Sequence, residues 1–82
     1  KKEIIMNFAI IGCGVIAETH AKALERLAGE GCKLYACCDI VPEKADAYAE
    51  RHNVPKTYYD DASVLADPDV DVVCVCAQRY PW

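Results

Sequence analysis

The stretch Gly12-Cys13-Gly14-Val15-Ile16-Ala17 constrains this chain more than any other, because small residues stand at its first, third and sixth positions. Before it, Ile4 to Ile11 is an apolar run of strand length. After it, Ile16, Ala17, Ala21, Leu24, Leu27 and Ala28 recur at helical spacing. A strand must therefore turn into a helix within a few residues. Gly12 permits the tight turn, Gly14 lets backbone approach a neighbour closely, and Ala17 lets the helix pack close to the strand. A helix that opens near Val15 presents unpaired N–H groups and the positive end of its dipole, a natural seat for a phosphate.

The pattern then repeats. Gly29 and Gly31 stop the first helix, and Lys33 to Cys38 forms a second strand closed by Asp39. Pro42 suits a first helical position, with Ala45, Tyr48 and Ala49 as an apolar stripe. Asn53 is expected to cap that helix in a left-handed conformation, and Val54-Pro55 prevents its continuation. Thr57 to Tyr59 reads as a third strand, Ser63 to Ala66 as a short helix, Asp67-Pro68-Asp69 as a turn, and Val70 to Ala77 as a fourth strand.

The order βαβαβαβ implies a parallel sheet with right-handed crossovers, an α/β doubly wound unit of the Rossmann type with strand order 3-2-1-4. Strict alternation puts Phe8 and Ile10 opposite Ala9 and Ile11, Leu34 and Ala36 opposite Tyr35 and Cys37, and Val73 and Val75 opposite Val72 and Cys74. Both faces are apolar, so both need cover. In this strand order the first two crossover helices share one face and only a short third connection reaches the other. One face is expected to be largely bare and the fourth strand to be an exposed edge. The chain thus reads as an incomplete Rossmann unit spanning residues 1–82, needing a continuation, a partner or a homo-oligomer.

Asp39 stands 27 positions after Gly12 and 22 after Ala17. A carboxylate at the end of the second strand accepts hydrogen bonds from adenosine ribose hydroxyls and repels a 2′-phosphate, which favours NAD; Lys44, nearby in sequence, leaves NADP open. The alternative for Asp39 is a turn or helix-capping role. The residues expected to contact a dinucleotide are Gly12, Cys13, Gly14, Val15, Ile16, Asp39 and Ile40. No catalytic residue and no metal ligand is expected. His20 reads as a packing histidine and His52 as a cation near a helix C-terminus. Tyr48, Tyr58 and Tyr59 read as packing residues, and Asp60, Asp61, Asp67, Asp69 and Asp71 as turn and capping acids without calcium-loop spacing.

Composition narrows the partners. A chain of 82 residues, 54% hydrophobic and 27% charged, is one globular domain at most. Its net charge of −4 and scattered basic residues exclude a nucleic-acid surface. No apolar run approaches the roughly 20 residues a membrane helix needs, and the start has no signal-peptide cleavage pattern, so a cytoplasmic location is expected. The six cysteines contain no CxxC pair; Cys37 and Cys38 point to opposite faces, and Cys74 and Cys76 sit among valines. They read as small hydrophobes of a reduced core.

Three segments in register carry a resemblance: Ala9 to His20, Cys37 to Ala45, and Leu65 to Val73. Together they resemble the N-terminal domain of the Gfo/Idh/MocA oxidoreductases, NAD(P)-dependent enzymes acting mostly on sugars, inositols and their derivatives. The resemblance implies hydride transfer between a nicotinamide and a polyol or sugar carbon, with a substrate domain following the Rossmann domain. The family's catalytic lysine, in a Glu-Lys-Pro motif after the fifth strand, has no counterpart in this sequence. Ala77-Gln78-Arg79-Tyr80-Pro81-Trp82 also stands where the family tends to carry a Thr-Pro segment leading to a His.

The leading expectation is therefore the nucleotide-binding N-terminal part of an oxidoreductase, inactive alone. A second is a non-catalytic nucleotide-binding or assembly module that completes its sheet with a partner. A methyltransferase ranks last, because its turn usually has a third glycine where this chain has Ile16.

Overall fold

Parallel pairing of the first two strands organises the fold, which a computed structural model describes over residues 5–76, apart from the side chains of Val15 and Ile16. Strand β1 (Met6–Ile11) pairs with β2 (Cys32–Cys38) on one side and β4 (Val72–Val75) on the other, and β3 (Lys56–Tyr58) lies beyond β2. The sheet order is β3-β2-β1-β4, all parallel. Helices α1 (Val15–Arg26), α2 (Pro42–His52) and α3 (Asp61–Ala66) make the crossovers. This is the expected Rossmann-type doubly wound arrangement, with β4 at one edge.

One irregularity corrects the expected faces of β2. Phe8 aligns with Leu34 but Ala9 with Ala36, so Tyr35 is an extra residue in the ladder. Such a bulge reverses the inside-outside alternation that follows it. Tyr35 and Ala36 consequently share one face, while Leu34 and Cys37 share the other. Strict alternation had paired Leu34 with Ala36 and Tyr35 with Cys37. Cys37 and Cys38 do lie on opposite faces.

Helix limits follow local chemistry. Ala17, Ala21 and Leu24 form the buried stripe of α1. The helix ends at Arg26, and a 3₁₀ turn at Ala28–Glu30, absent from the expected elements, carries the chain to Gly31 at φ 91°. Helix α2 opens with Pro42 after an extended Val41 and ends at Asn53 in the left-handed conformation, φ 55°. Helix α3 starts earlier than expected because the Asp60 carboxylate accepts the Ser63 N–H at 2.7 Å. Strand β4 is shorter than expected, since Asp71 serves the start of β1: its carboxylate accepts the Asn7 N–H at 2.8 Å.

Two cores result. On one face Ile10, Cys13, Ala17, Ala21, Leu24, Cys37, Tyr48, Val54 and Cys76 are buried under α1 and α2. On the other, Ala9, Ile11, Ala36 and Cys38 are buried with Val64 of α3, and Tyr35, Tyr58, Val70 and Val73 pack around them. The face expected to be bare is thus sealed over β1 and β2, while Leu65 of α3 and Val75 on the β4 edge are exposed. Tyr48 and Tyr58 pack as expected, whereas Tyr59 is exposed and donates to Asp46. The segment Ala77 to Trp82, which stands in place of the family's Thr-Pro segment, lies outside the described residues.

Candidate functional site

The turn between β1 and α1 has the form its glycines suggest. Gly12 sits at φ 92°, a conformation side chains rarely adopt, and its N–H donates to the Cys38 carbonyl at 2.8 Å. The turn is thereby tied to the end of β2. Gly14 is different: its backbone is extended, φ −97° and ψ −153°, and a Cβ built on it meets no atom within 4 Å. Neither conformation nor packing within the chain requires glycine there. Glycine is acceptable as a helix N-cap, and at an exposed position it also leaves the backbone open to close approach from outside. Gly14 is also the cap residue of α1 and offers no side-chain cap, so the N–H groups of the first turn, which includes Val15 and Ile16, find no partner in a capping side chain.

Asp39 joins this turn from the end of β2. Its Oδ2 accepts the Cys13 N–H at 3.0 Å and its Oδ1 accepts the Val41 N–H at 2.9 Å. Its own N–H donates to the Tyr58 carbonyl at 3.3 Å, continuing the sheet ladder. The half-buried carboxylate is held in place by two backbone donors. A carboxylate has about four lone-pair sites, so room for two more donors remains. Ile40 follows it, 80% exposed, an apolar surface beside the acid.

Sequence reading missed the partners of Glu18. This first-turn acid of α1 would oppose an anion at the helix start, but its carboxylate is held toward α2 by Arg51 and, at 2.8 Å, by His52 Nε2. Partial burial pushes its carboxyl up, and the hydrogen bonds from Arg51 and His52 outweigh that and hold it below the usual range. No local signal links residues 33 or 34 apart. His52 is in the last turn of α2, as its reading as a helix-end cation requires, and His20 is half-buried on α1. Tyr48, fully buried, donates to the Ala17 carbonyl at 2.7 Å and fixes α1 against α2.

The thiols are core groups. Cys13 Sγ donates to the Cys38 carbonyl at 3.4 Å and shares a core with Cys37, which donates to the Ala45 carbonyl at 3.5 Å. The contact with Cys37, then burial, pushes the Cys13 thiol far up; burial raises Cys38 to about 11. All six cysteines are free. Among the described residues no group of three or more His, Cys, Asp or Glu side chains is arranged to hold a metal, and no helix is long and apolar enough to cross a membrane.

Comparison with known proteins matches this geometry to a family. The family described as "Oxidoreductase family, NAD-binding Rossmann fold" (GFO_IDH_MocA) matches residues 6–80. A myo-inositol 2-dehydrogenase of Thermotoga maritima is 33% identical over 72 residues, 88% of this chain and 21% of the relative. The WlbA dehydrogenase of Chromobacterium violaceum, solved with NADH and UDP-GlcNAcA, superposes with a TM-score of 0.82 at 31% identity, over 94% of this chain and 22% of that one. The myo-inositol dehydrogenase of Lactobacillus casei, solved with NAD(H) and myo-inositol, gives 0.76 at 31% identity, over 90% of this chain and 22% of that one. The chain spans about 21% of the length of the curated relatives it matches.

Proposed function

The chain belongs to the Gfo/Idh/MocA oxidoreductase family, and from that premise we propose that it forms the adenosine-diphosphate half of an NAD site in an oxidoreductase acting on a sugar, inositol or related polyol. The observation that carries the reading is Gly14: a glycine exposed at a helix start, with nothing within 4 Å of a built Cβ. The residues fit the cofactor. The turn from Gly12 to Ile16 offers backbone N–H groups and a helix dipole to the diphosphate. Glu18, the acid nearest that helix end, is paired with Arg51 and turned toward α2, within hydrogen-bond distance of His52. Asp39 has acceptor capacity left for the ribose hydroxyls, and Ile40 is an exposed apolar surface for the adenine.

Bound NAD supplies the nicotinamide that takes or gives a hydride. This chain's own residues bind and orient: they hold the diphosphate by N–H groups and discriminate at the ribose. The carboxylate of Asp39 attracts two hydroxyls and repels a 2′-phosphate, so NAD is preferred over NADP. The proposed substrate class is supported by the proteins the chain resembles, dehydrogenases named for inositols and one solved with a nucleotide sugar. We assign no catalytic residue to residues 5–76, expect no turnover by this chain alone, and expect a cytoplasmic location.

Calorimetric titration of the 82-residue chain with NAD, NADP, ADP and S-adenosylmethionine tests the reading. NAD and ADP should bind, NADP more weakly, and S-adenosylmethionine not at all. Binding of S-adenosylmethionine alone, or of none of the four, would overturn it.

A further inference from the structure

Asp39 does more than wait at the end of β2. Its carboxylate already holds the glycine turn, through the Cys13 N–H at 3.0 Å, and its other oxygen is fixed by the Val41 N–H at 2.9 Å. Cys13 itself is pinned from below, with its thiol on the Cys38 carbonyl at 3.4 Å, and Gly12 N–H holds that same carbonyl at 2.8 Å. The N–H of Cys13 is thus the contact by which a side chain outside the turn sets its path between Gly12 and Gly14. We propose that Asp39 is a positioning residue for the diphosphate-binding turn, and that the ribose and diphosphate subsites are energetically coupled through its carboxylate.

This inference rests on the proposed dinucleotide site and adds to it. A carboxylate held by two N–H groups keeps room for two hydroxyl donors. Ribose hydroxyls that fill that room fix the carboxylate further, which fixes Cys13 and presents the following N–H groups to the diphosphate. By linkage the coupling is reciprocal: diphosphate bound on the ordered turn strengthens the ribose contact by the same factor. Charge alone predicts the opposite. Asp39 is an anion beside an anion's seat, and its neutralisation should by itself tighten a diphosphate ligand.

That difference in sign is the test. ADP and 2′,3′-dideoxy-ADP are titrated into the natural chain and the Asp39→Asn variant. A residue that only accepts ribose hydroxyls leaves dideoxy-ADP affinity unchanged or improved in the variant. A positioning residue costs dideoxy-ADP about tenfold, the size of one charge-assisted hydrogen bond, with a larger loss for ADP. An unchanged or tighter dideoxy-ADP complex overturns the proposal.

Amide exchange in the ligand-free natural chain provides a second reading that needs no variant. Cys13 N–H should exchange at least about tenfold more slowly than an unprotected amide, and an unprotected Cys13 overturns the proposal even if Asp39→Asn fails to fold. If ADP does not bind the natural chain, the dinucleotide reading fails, while protection at Cys13 still decides whether Asp39 positions the turn.

Discussion

Cys13 and Asp39, 26 residues apart, meet at 3.0 Å, backbone N–H to carboxylate, so the glycine turn and the end of β2 form one unit. The acid expected to read a ribose is therefore also part of the scaffold that carries the turn. Replacing it affects both.

Asp39→Ala should weaken NAD by about tenfold or more, since it removes an ionised acceptor. NADP should lose less, because the repulsion of its 2′-phosphate disappears with the carboxylate and offsets the damage. Titration of both cofactors into the variant checks this. Equal losses would remove the ribose from the role of Asp39.

Tyr48 ties α1 to α2 through its hydroxyl on the Ala17 carbonyl. Tyr48→Phe should cost about 0.5–1.5 kcal/mol, since a buried hydrogen bond is lost while the ring stays. Tyr48→Ala should cost about 3–5 kcal/mol by leaving a cavity in the main core. Urea denaturation of the two variants measures both, and a Phe variant as damaged as the Ala variant would show that packing of the ring is not what matters.

Much of this was legible in the sequence because it rests on local pattern. The Pro42 start and the Asn53 end of α2, the opposite faces of Cys37 and Cys38, and the strand order follow from spacing and punctuation. The bulge at Tyr35 was not legible, because an apolar run such as Leu34 to Cys38 gives no sign of where alternation breaks. The short α3 looked too small to cover a face, yet Val64 is buried with Ala9, Ile11, Ala36 and Cys38 of the sheet, three of which are small. The clamp on Glu18 and the bond from Cys13 to Asp39 join residues distant in sequence, and only the crossover geometry brings them together.

Asp67 collects the hydroxyls of Tyr58 at 2.6 Å and Tyr35 at 3.2 Å, which places a pH-sensitive joint between α3 and the sheet. The hydrogen bond to Asp67, then burial, raises Tyr58 to about 12 from an ordinary 10.0. A folded pKa above the unfolded one gives stability that is complete below pH 10 and lost as pH rises toward 12. The Tyr58 hydroxyl in turn holds the Asp67 carboxyl below its ordinary 3.8, and that contribution is present above about pH 4 and lost as pH falls further. Tyr58→Phe should flatten both limbs of a plot of urea midpoint against pH. Limbs as steep as in the natural chain would contradict the assignment.

The two glycines of the turn should separate structure from binding, and Gly14 is the sharper probe. Gly12→Ala places a side chain at φ 92° and should cost about 1–3 kcal/mol of stability. Gly14→Ala meets open space in an allowed conformation, so the fold has no reason to object. The decisive measurement is NAD affinity of Gly14→Ala taken together with its thermal midpoint. The site described here predicts a midpoint within about 4 °C of the natural chain, which is under about 1 kcal/mol, with NAD binding weakened about tenfold or more as the methyl group keeps the diphosphate from the backbone. Unchanged NAD affinity in a variant that folds normally would contradict the claim that this turn is where the cofactor lies.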